Sequence, residues 1–259
     1  MLTYHAFDPV QGMTEAGKSL ARMLSDESPD KSYAEVMRLR VAGKLTGTCT
    51  DTYFVALDGE ACVSRLWNGW GRHADAIGNF GNFLTLEQYR GQGIGTRLLE
   101  LWYADLQARD DKPLALFCTS APKAARMYEK YGMRPILKGA EYGPSYMPLG
   151  DCPEDFEAFC DTYYQPTDAL TAEPATFAWR HEIDLLLKFA LLQRGLPFGF
   201  EGMPSFEQAL LSAPDKTALM FTDGGRCVGW CYDGQVQVYP AYEKTEMIMR
   251  YYDADQNDR

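Results

Sequence analysis

Apolar residues recur at helical spacing twice near the start of the chain: Met13, Leu20, Met23 and Leu24 over 13–26, and Val36, Met37, Leu39 and Val41 over 32–42. A short β-rich run, "LTYHAF", precedes them. "DTYFVALDGEACVSRLW" (51–67) consists of two β-rich runs hinged on Asp58-Gly59, a hairpin signal. The next apolar run, "AIGNFGNFLTL" (76–86), is interrupted by glycine and asparagine and still reads as a strand. Helical spacing returns over 96–109, a strand over 113–120, a helix over 122–131, and a closing hairpin over 133–149. The predicted order is β-αα-β-β-β-α-β-α-β-β, an α/β (α+β mixed) fold in which helices flank a mixed sheet.

Bulk properties narrow the function. The chain has 259 residues, 46% hydrophobic and 24% charged, which is ordinary globular composition. No run approaches the roughly 18 apolar residues of a membrane span, and "MLTYHAFDPVQG" lacks the layout of a signal peptide, so the expected location is cytoplasmic, with no membrane partner. Seven scattered cysteines without a CxxC pair read as reduced thiols, and three histidines never reach a zinc-ligand spacing, so no metal is expected. The net charge of -11 divides unevenly: 17 Lys/Arg and 17 Asp/Glu in residues 1–150, but 8 and 19 in residues 151–259. That places a domain boundary near Gly150, with an acidic C-terminal domain over 151–259. Neither half supplies the basic stripe of a nucleic-acid binder.

The candidate chemistry lies where the 76–86 strand meets the next helix. "YRGQGIGTRLLE" (89–100) sets Gly91, Gly93 and Gly95 at alternate positions directly before helical spacing. Backbone N–H groups at such a turn form a positive cradle for a phosphate or pyrophosphate, and glycine lets the backbone approach it. The dinucleotide fingerprint GxGxxG fails, because its last glycine would fall at Thr96. The phosphate-loop pattern GxxxxGK[ST] is matched by "GMTEAGKS" (12–19), yet the segment before it, "YHAFDPVQ", is short and broken by Pro9. We read 13–26 as an amphipathic helix.

"RGQGIG" (90–95) has the form [QR]-x-x-G-x-[GA], and "FCTSAPKAARMYEKYGM" (117–133) carries a YxxxGF-like ending one helix and one strand later. With the element order, these segments resemble the GNAT superfamily of acyl-CoA-dependent N-acyltransferases over about residues 1–150. The resemblance implies acetyl-CoA as cosubstrate and direct transfer of the acetyl group to the primary amine of a small cationic molecule or a protein. It implies that Arg90, Gly91, Gln92, Gly93, Ile94, Gly95 and Thr96 bind the pyrophosphate, that Leu84, Thr85 and Leu86 offer backbone partners to the pantetheine arm, and that Tyr128 is the general acid. A homodimer is left open. Two departures stand out: Ala121 occupies the position of a frequent cofactor-binding asparagine, and no carboxylate lies between Asp75 and Glu87, where many relatives carry a general base. Asn79, Asn82, His73, Asp75 and Glu87 are the neighbouring polar candidates, and none is named as base. The competing expectation is a GNAT-like module that holds acyl-CoA or an amine without turnover.

The second part carries echoes of the first. "DGEACV" (58–63) recurs as "DGGRCV" (223–228), "SFEQALL" (205–211) echoes "SYAEVMRL" (32–39), and "RHEIDLLLKFALLQRG" (180–195) reads as an amphipathic helix. "VYPAYEKTEMIMRYY" (238–252) resembles the family's strand-to-corner phrase, but Glu243 replaces the arginine and Lys244, Glu246 and Ile248 stand where the glycines stood. The expectation is a truncated second GNAT-like unit that does not bind CoA.

Overall fold

The computed structural model describes residues 1–27, 37–44, 49–137, 143–196, 218–232 and 234–257. Seven strands form one mixed sheet in the order β1-β2-β3-β4-β5-β7-β6. These are β1 (Leu2–Phe7), β2 (Cys49–Asp58), β3 (Ala61–Gly71), β4 (Ile77–Thr85), β5 (Ala115–Ser120), β6 (Arg134–Pro135) and β7 (Gly143–Pro148). Among the described residues only β4 and β5 pair in parallel. The β2–β3 hairpin turns at Gly59, whose φ of +59° is open to glycine without strain.

Helices cover both faces. Helix α2 (Ile94–Ala108) buries Ile94, Leu98, Leu99, Trp102 and Leu106, a stripe one helical face wide, against Phe54, Leu66, Phe80 and Leu116 of the sheet. Each such large side chain contributes about 1.5–3 kcal/mol by leaving water. Helix α3 (Pro122–Tyr128) lies on the same face and ends in a 3-10 turn, Glu129–Tyr131, so the predicted 122–131 helix tightens over its last residues. On the other face, α1 (Glu15–Glu27) and the helical residues 37–41 pack on Tyr53, Val55 and Trp67. The remainder of the predicted 32–42 helix lies outside the described residues.

The GKS-containing stretch has no phosphate-loop geometry. Helix α1 starts at Glu15, so the residues that would curl around a phosphate are already helical, and β1 is an edge strand paired antiparallel to β2. Thr14 accepts from Gly17 N at 3.1 Å, Lys18 pairs with Glu15, and a Cβ on Gly17 would lie 3.0 Å from the Met13 sulfur. Lys18→Ala should therefore leave nucleotide binding as it was, at zero; saturable ATP binding lost in the variant would sink this reading.

Beyond Gly150 come α4 (Phe156–Tyr163), β8 (Thr171–Pro174), α5 (Leu187–Gln193), β9 (Ala218–Asp223), β10 (Arg226–Tyr232), β11 (Gln235–Val238) and α6 (Glu246–Asn257). The strands form a second sheet, β11-β10-β9-β8. The predicted 180–195 helix starts at Arg180 and carries a π-helical turn, Glu182–Leu186, before α5. The echo segment 205–211 lies outside the described residues. The largest hydrophobic cluster joins the two parts: Ile77, Ala115, Phe117 and Tyr146 of the first sheet pack with Phe159, Leu186, Phe189 and Trp230 of the C-terminal part.

The hairpin-and-third-strand segments of the two parts share specific bonds. Leu86 N donates to Val63 O at 3.0 Å, and Tyr239 N to Val228 O at 2.9 Å. The Tyr89 hydroxyl donates to Asp58 at 3.0 Å, and that of Tyr242 to Asp223 at 2.9 Å. Each tyrosine closes a 3-10 turn, Glu87–Tyr89 and Pro240–Tyr242, after the third strand.

Candidate active site

The parallel pairing of β4 with β5 stops early. Ile77, Gly78 and Asn79 face Ala115, Leu116 and Phe117, and there the ladder ends. From that point β4 stays with β3 while β5 runs on with β7 to Ser120. Gly78 fits because a Cβ there would lie 2.6 Å from Leu116 and 2.9 Å from the Gly69 carbonyl. Further along, Trp67 pairs with Gly81 and Arg65 with Leu84, so two β4 residues, Asn82 and Phe83, stand opposite Leu66. Asn82 adopts φ +52°, and this bulge bends β4. The result is a wedge whose wall, Gly81 to Leu86, is half-buried.

The glycine corner lies at the end of that wall. Gly91 and Gly93 take φ of +78° and +76°, with no atom of the described residues within 4 Å of the position of a Cβ. Gly93 is the N-cap of α2 and has no side chain to cap it, and the first helical bond runs from Arg97 N to Gly93 O at 3.0 Å. The N–H groups of Ile94, Gly95 and Thr96 thus lack helical acceptors, and with the helix dipole they make the corner a receptor for an anion. A Cβ on Gly95 would fall 2.8 Å from the Phe83 ring, so glycine there lets the helix end seat on the bulge. Arg90 donates its Nε to the Thr85 carbonyl at 3.0 Å, and Gln92 bonds the Gln88 carbonyl at 3.2 Å. Of the wall's backbone groups, Leu84 O accepts from the Ser64 hydroxyl at 2.9 Å and Leu86 N is taken by Val63.

Tyr128 closes α3 with its ring buried, edge-on to Phe80 at 4.8 Å and tilted toward Phe83 at 5.9 Å. It therefore packs against the stretch of β4 that has separated from β5. Cys118, on the adjoining β5, has its thiol pushed up to about 12 by burial and stays protonated.

The polar candidates separate by position. His73 bonds Glu182 at 2.9 Å and stacks on Trp179 at 3.7 Å, and Asp75 pairs with Arg226 at 2.8 Å. Both precede β4, whereas the glycine corner follows it, about 30 Å away by strand rise. Glu87 is exposed in its 3-10 turn, and Asn82 accepts from Arg65 Nε at 3.1 Å. Asn79 stands at the last β4–β5 pair. Arg180, His181 and Glu182, at the start of the predicted 180–195 helix, dock the C-terminal part on the first sheet through Asp51, Trp67 and Ile77, contacts that helical periodicity does not signal.

Among the described residues no group of metal-ligating side chains is found, and no helix is long and apolar enough to cross a membrane. No curated protein matches the chain. Similar solved structures include a GNAT-family acetyltransferase from Streptococcus pneumoniae (16% identity, 58% of this chain and 100% of that one, TM-score 0.44). A putative GNAT-family acetyltransferase from Desulfovibrio desulfuricans (11%, 58% and 100%, 0.42) and the Escherichia coli GNAT N-acetyltransferase YhbS in complex with CoA (17%, 58% and 84%, 0.41) are also similar. The family description "Acetyltransferase (GNAT) domain" matches residues 49–134, the span that holds β2 to β5, the wedge, the glycine corner and Tyr128. Residues 49–134 of this chain match the model of the GNAT acetyltransferase domain.

Proposed function

We propose that the chain is an acetyl-CoA-dependent N-acetyltransferase that transfers the acetyl group directly to a primary amine of a small cationic molecule or a protein. The observation that carries this reading is the wedge: β4 and β5 part after Asn79 and Phe117, and the wall of the opening leads to a helix N-terminus preceded by two glycines of positive φ. A thioester arm fits the opening as an added strand, with Leu84, Thr85 and Leu86 at its corner end. The pyrophosphate would rest on the backbone of Arg90 to Thr96. Holding the thioester there brings its carbonyl beside an incoming amine, which makes the reaction effectively unimolecular. The amine nitrogen attacks the carbonyl carbon and gives up a proton to solvent, the C–S bond breaks, and the Tyr128 hydroxyl supplies a proton to the departing thiolate and regains one from solvent.

We also infer that the C-terminal unit is a truncated GNAT-like copy that does not bind CoA. Two tyrosine-to-aspartate bonds and two strand-end bonds at matching places support the kinship. Its corner argues against the ligand, because α6 opens on Glu246 and an acidic side chain at a helix N-terminus repels a phosphate.

Calorimetric titration with acetyl-CoA tests both readings. One site per chain is the expected result. Two sites would overturn the second inference, and no binding would remove the enzymatic reading.

A further inference from the structure

We propose that the cavity between α1 and the β2–β3 hairpin holds the acceptor, and that the acceptor is a small amine whose aliphatic stem carries a second cationic group. The inference rests on the N-acetyltransferase reading and names its substrate class.

The cavity has a volume of about 420 Å³ and meets the wall of the wedge at Leu86. That volume suits a small molecule. Its floor is apolar, with Met23 and Cys62 buried and Leu86 half-buried. One side is pinned, because the Ser19 hydroxyl of α1 donates to the Glu60 carbonyl at 2.6 Å and accepts from Arg22 at 3.1 Å. Asp26 and Glu60 stand exposed at the rim, and neither carboxylate has an ion-pair partner among the described residues. Arg22 is the one cation of the lining, which therefore carries a net negative charge. An apolar floor below such a rim complements a run of CH₂ groups that ends in an ammonium, whereas an anionic end would meet like charge.

The wall of the wedge has two sides. Phe83 and Tyr128 belong to the cluster beneath α2 and α3, Leu84 packs on the cluster beneath α1, and Leu86 touches both. Asn82 also turns to the α1 side, where its amide lies 4.0 Å from the Met37 sulfur. A stem that starts in the cavity and lies along Leu84 covers about 7 Å of strand. It carries its other nitrogen up the α1 side of β4, toward the residues that have left β5. Tyr128 stays on the opposite side, so the nucleophile and the proton donor reach the thioester from different faces. Asp26 and Glu60 hold the far ammonium and select the substrate, and neither takes part in the bond changes.

Calorimetric titration of the CoA-saturated chain with hexylamine, its α,ω-diamine and its ω-amino acid tests the assignment. The diamine should bind about fivefold more tightly than hexylamine, the gain of an exposed ion pair. The amino acid, whose carboxylate meets the acidic rim, should bind most weakly, and kcat/KM for acetylation should follow the same order. Asp26→Asn combined with Glu60→Gln should bring the diamine down to the level of hexylamine. Ala61→Trp puts an indole into the cavity from an exposed strand end and should abolish binding of all three probes with CoA affinity unchanged. Equal binding of the diamine and the amino acid, no binding of any probe to a chain that holds CoA, or binding that survives Ala61→Trp would overturn the inference and leave the enzymatic reading standing. Failure of CoA to bind would instead remove that reading, and this inference with it. If Ala61→Trp does not fold, the order of the three probes on the natural chain decides the matter.

Discussion

Arg180→Met should lower the stability of the whole chain by about 3–5 kcal/mol, because it strands a buried carboxylate. Asp51 is 0% exposed and its Oδ1 accepts from both Arg180, at 2.7 Å, and Trp67 Nε1, at 2.9 Å. Methionine fills much of the arginine's volume, so the loss is one of charge more than of packing. A chain of this size loses about 2–4 °C per kcal/mol, so the thermal midpoint should fall by about 10 °C. Since the largest hydrophobic cluster spans both parts, a single transition should move rather than split in two. The double variant Asp51→Asn with Arg180→Met should recover part of the loss, because it removes the unpaired charge. A midpoint unchanged in Arg180→Met would mean that the pair contributes nothing to holding the C-terminal unit on the sheet.

Tyr128→Phe should reduce acetyl transfer by about 100-fold or more while acetyl-CoA affinity stays nearly constant. The substitution removes one oxygen and keeps the ring that packs on Phe80 and Phe83, so the fold around β4 should hold. If the hydroxyl protonates the leaving thiolate, the loss falls on kcat and spares binding, because the interaction matters in the transition state alone. Steady-state kinetics alongside calorimetry separates the two. Equal turnover in the variant would take Tyr128 out of the mechanism, and equal losses in turnover and affinity would make it a packing residue.

Much of the site was legible in short stretches. The Asp58-Gly59 turn, the glycines at 91 and 93 and the stripe of α2 each depend on neighbours within a few residues, and each forms as the pattern indicates. The run over 76–86 reads as a strand despite its glycine and asparagine interruptions, though the bulge at Asn82 that turns β4 aside depends on pairing with β3. Helix α4 and strand β8 were not anticipated, the latter being four residues with mostly exposed side chains and therefore little apolar pattern. The Arg180-His181-Glu182 segment was read as the start of an amphipathic helix. Arg180 and His181 are helical and Glu182 opens a π-helical turn, and the three side chains reach Asp51, Trp67 and Ile77 of the first sheet.

By itself the sequence determined the order of the elements, the hairpin and the glycine corner, because turn and helix-start preferences act through the backbone of adjacent residues. Tertiary structure alone decided where β4 leaves β5 and which polar groups are spent in ion pairs. The strand pairs behind the first join residues 38 positions apart, and bonds between the two units, such as Arg180 to Asp51 and Glu182 to Ile77, join residues more than 100 apart, so no local pattern encodes them.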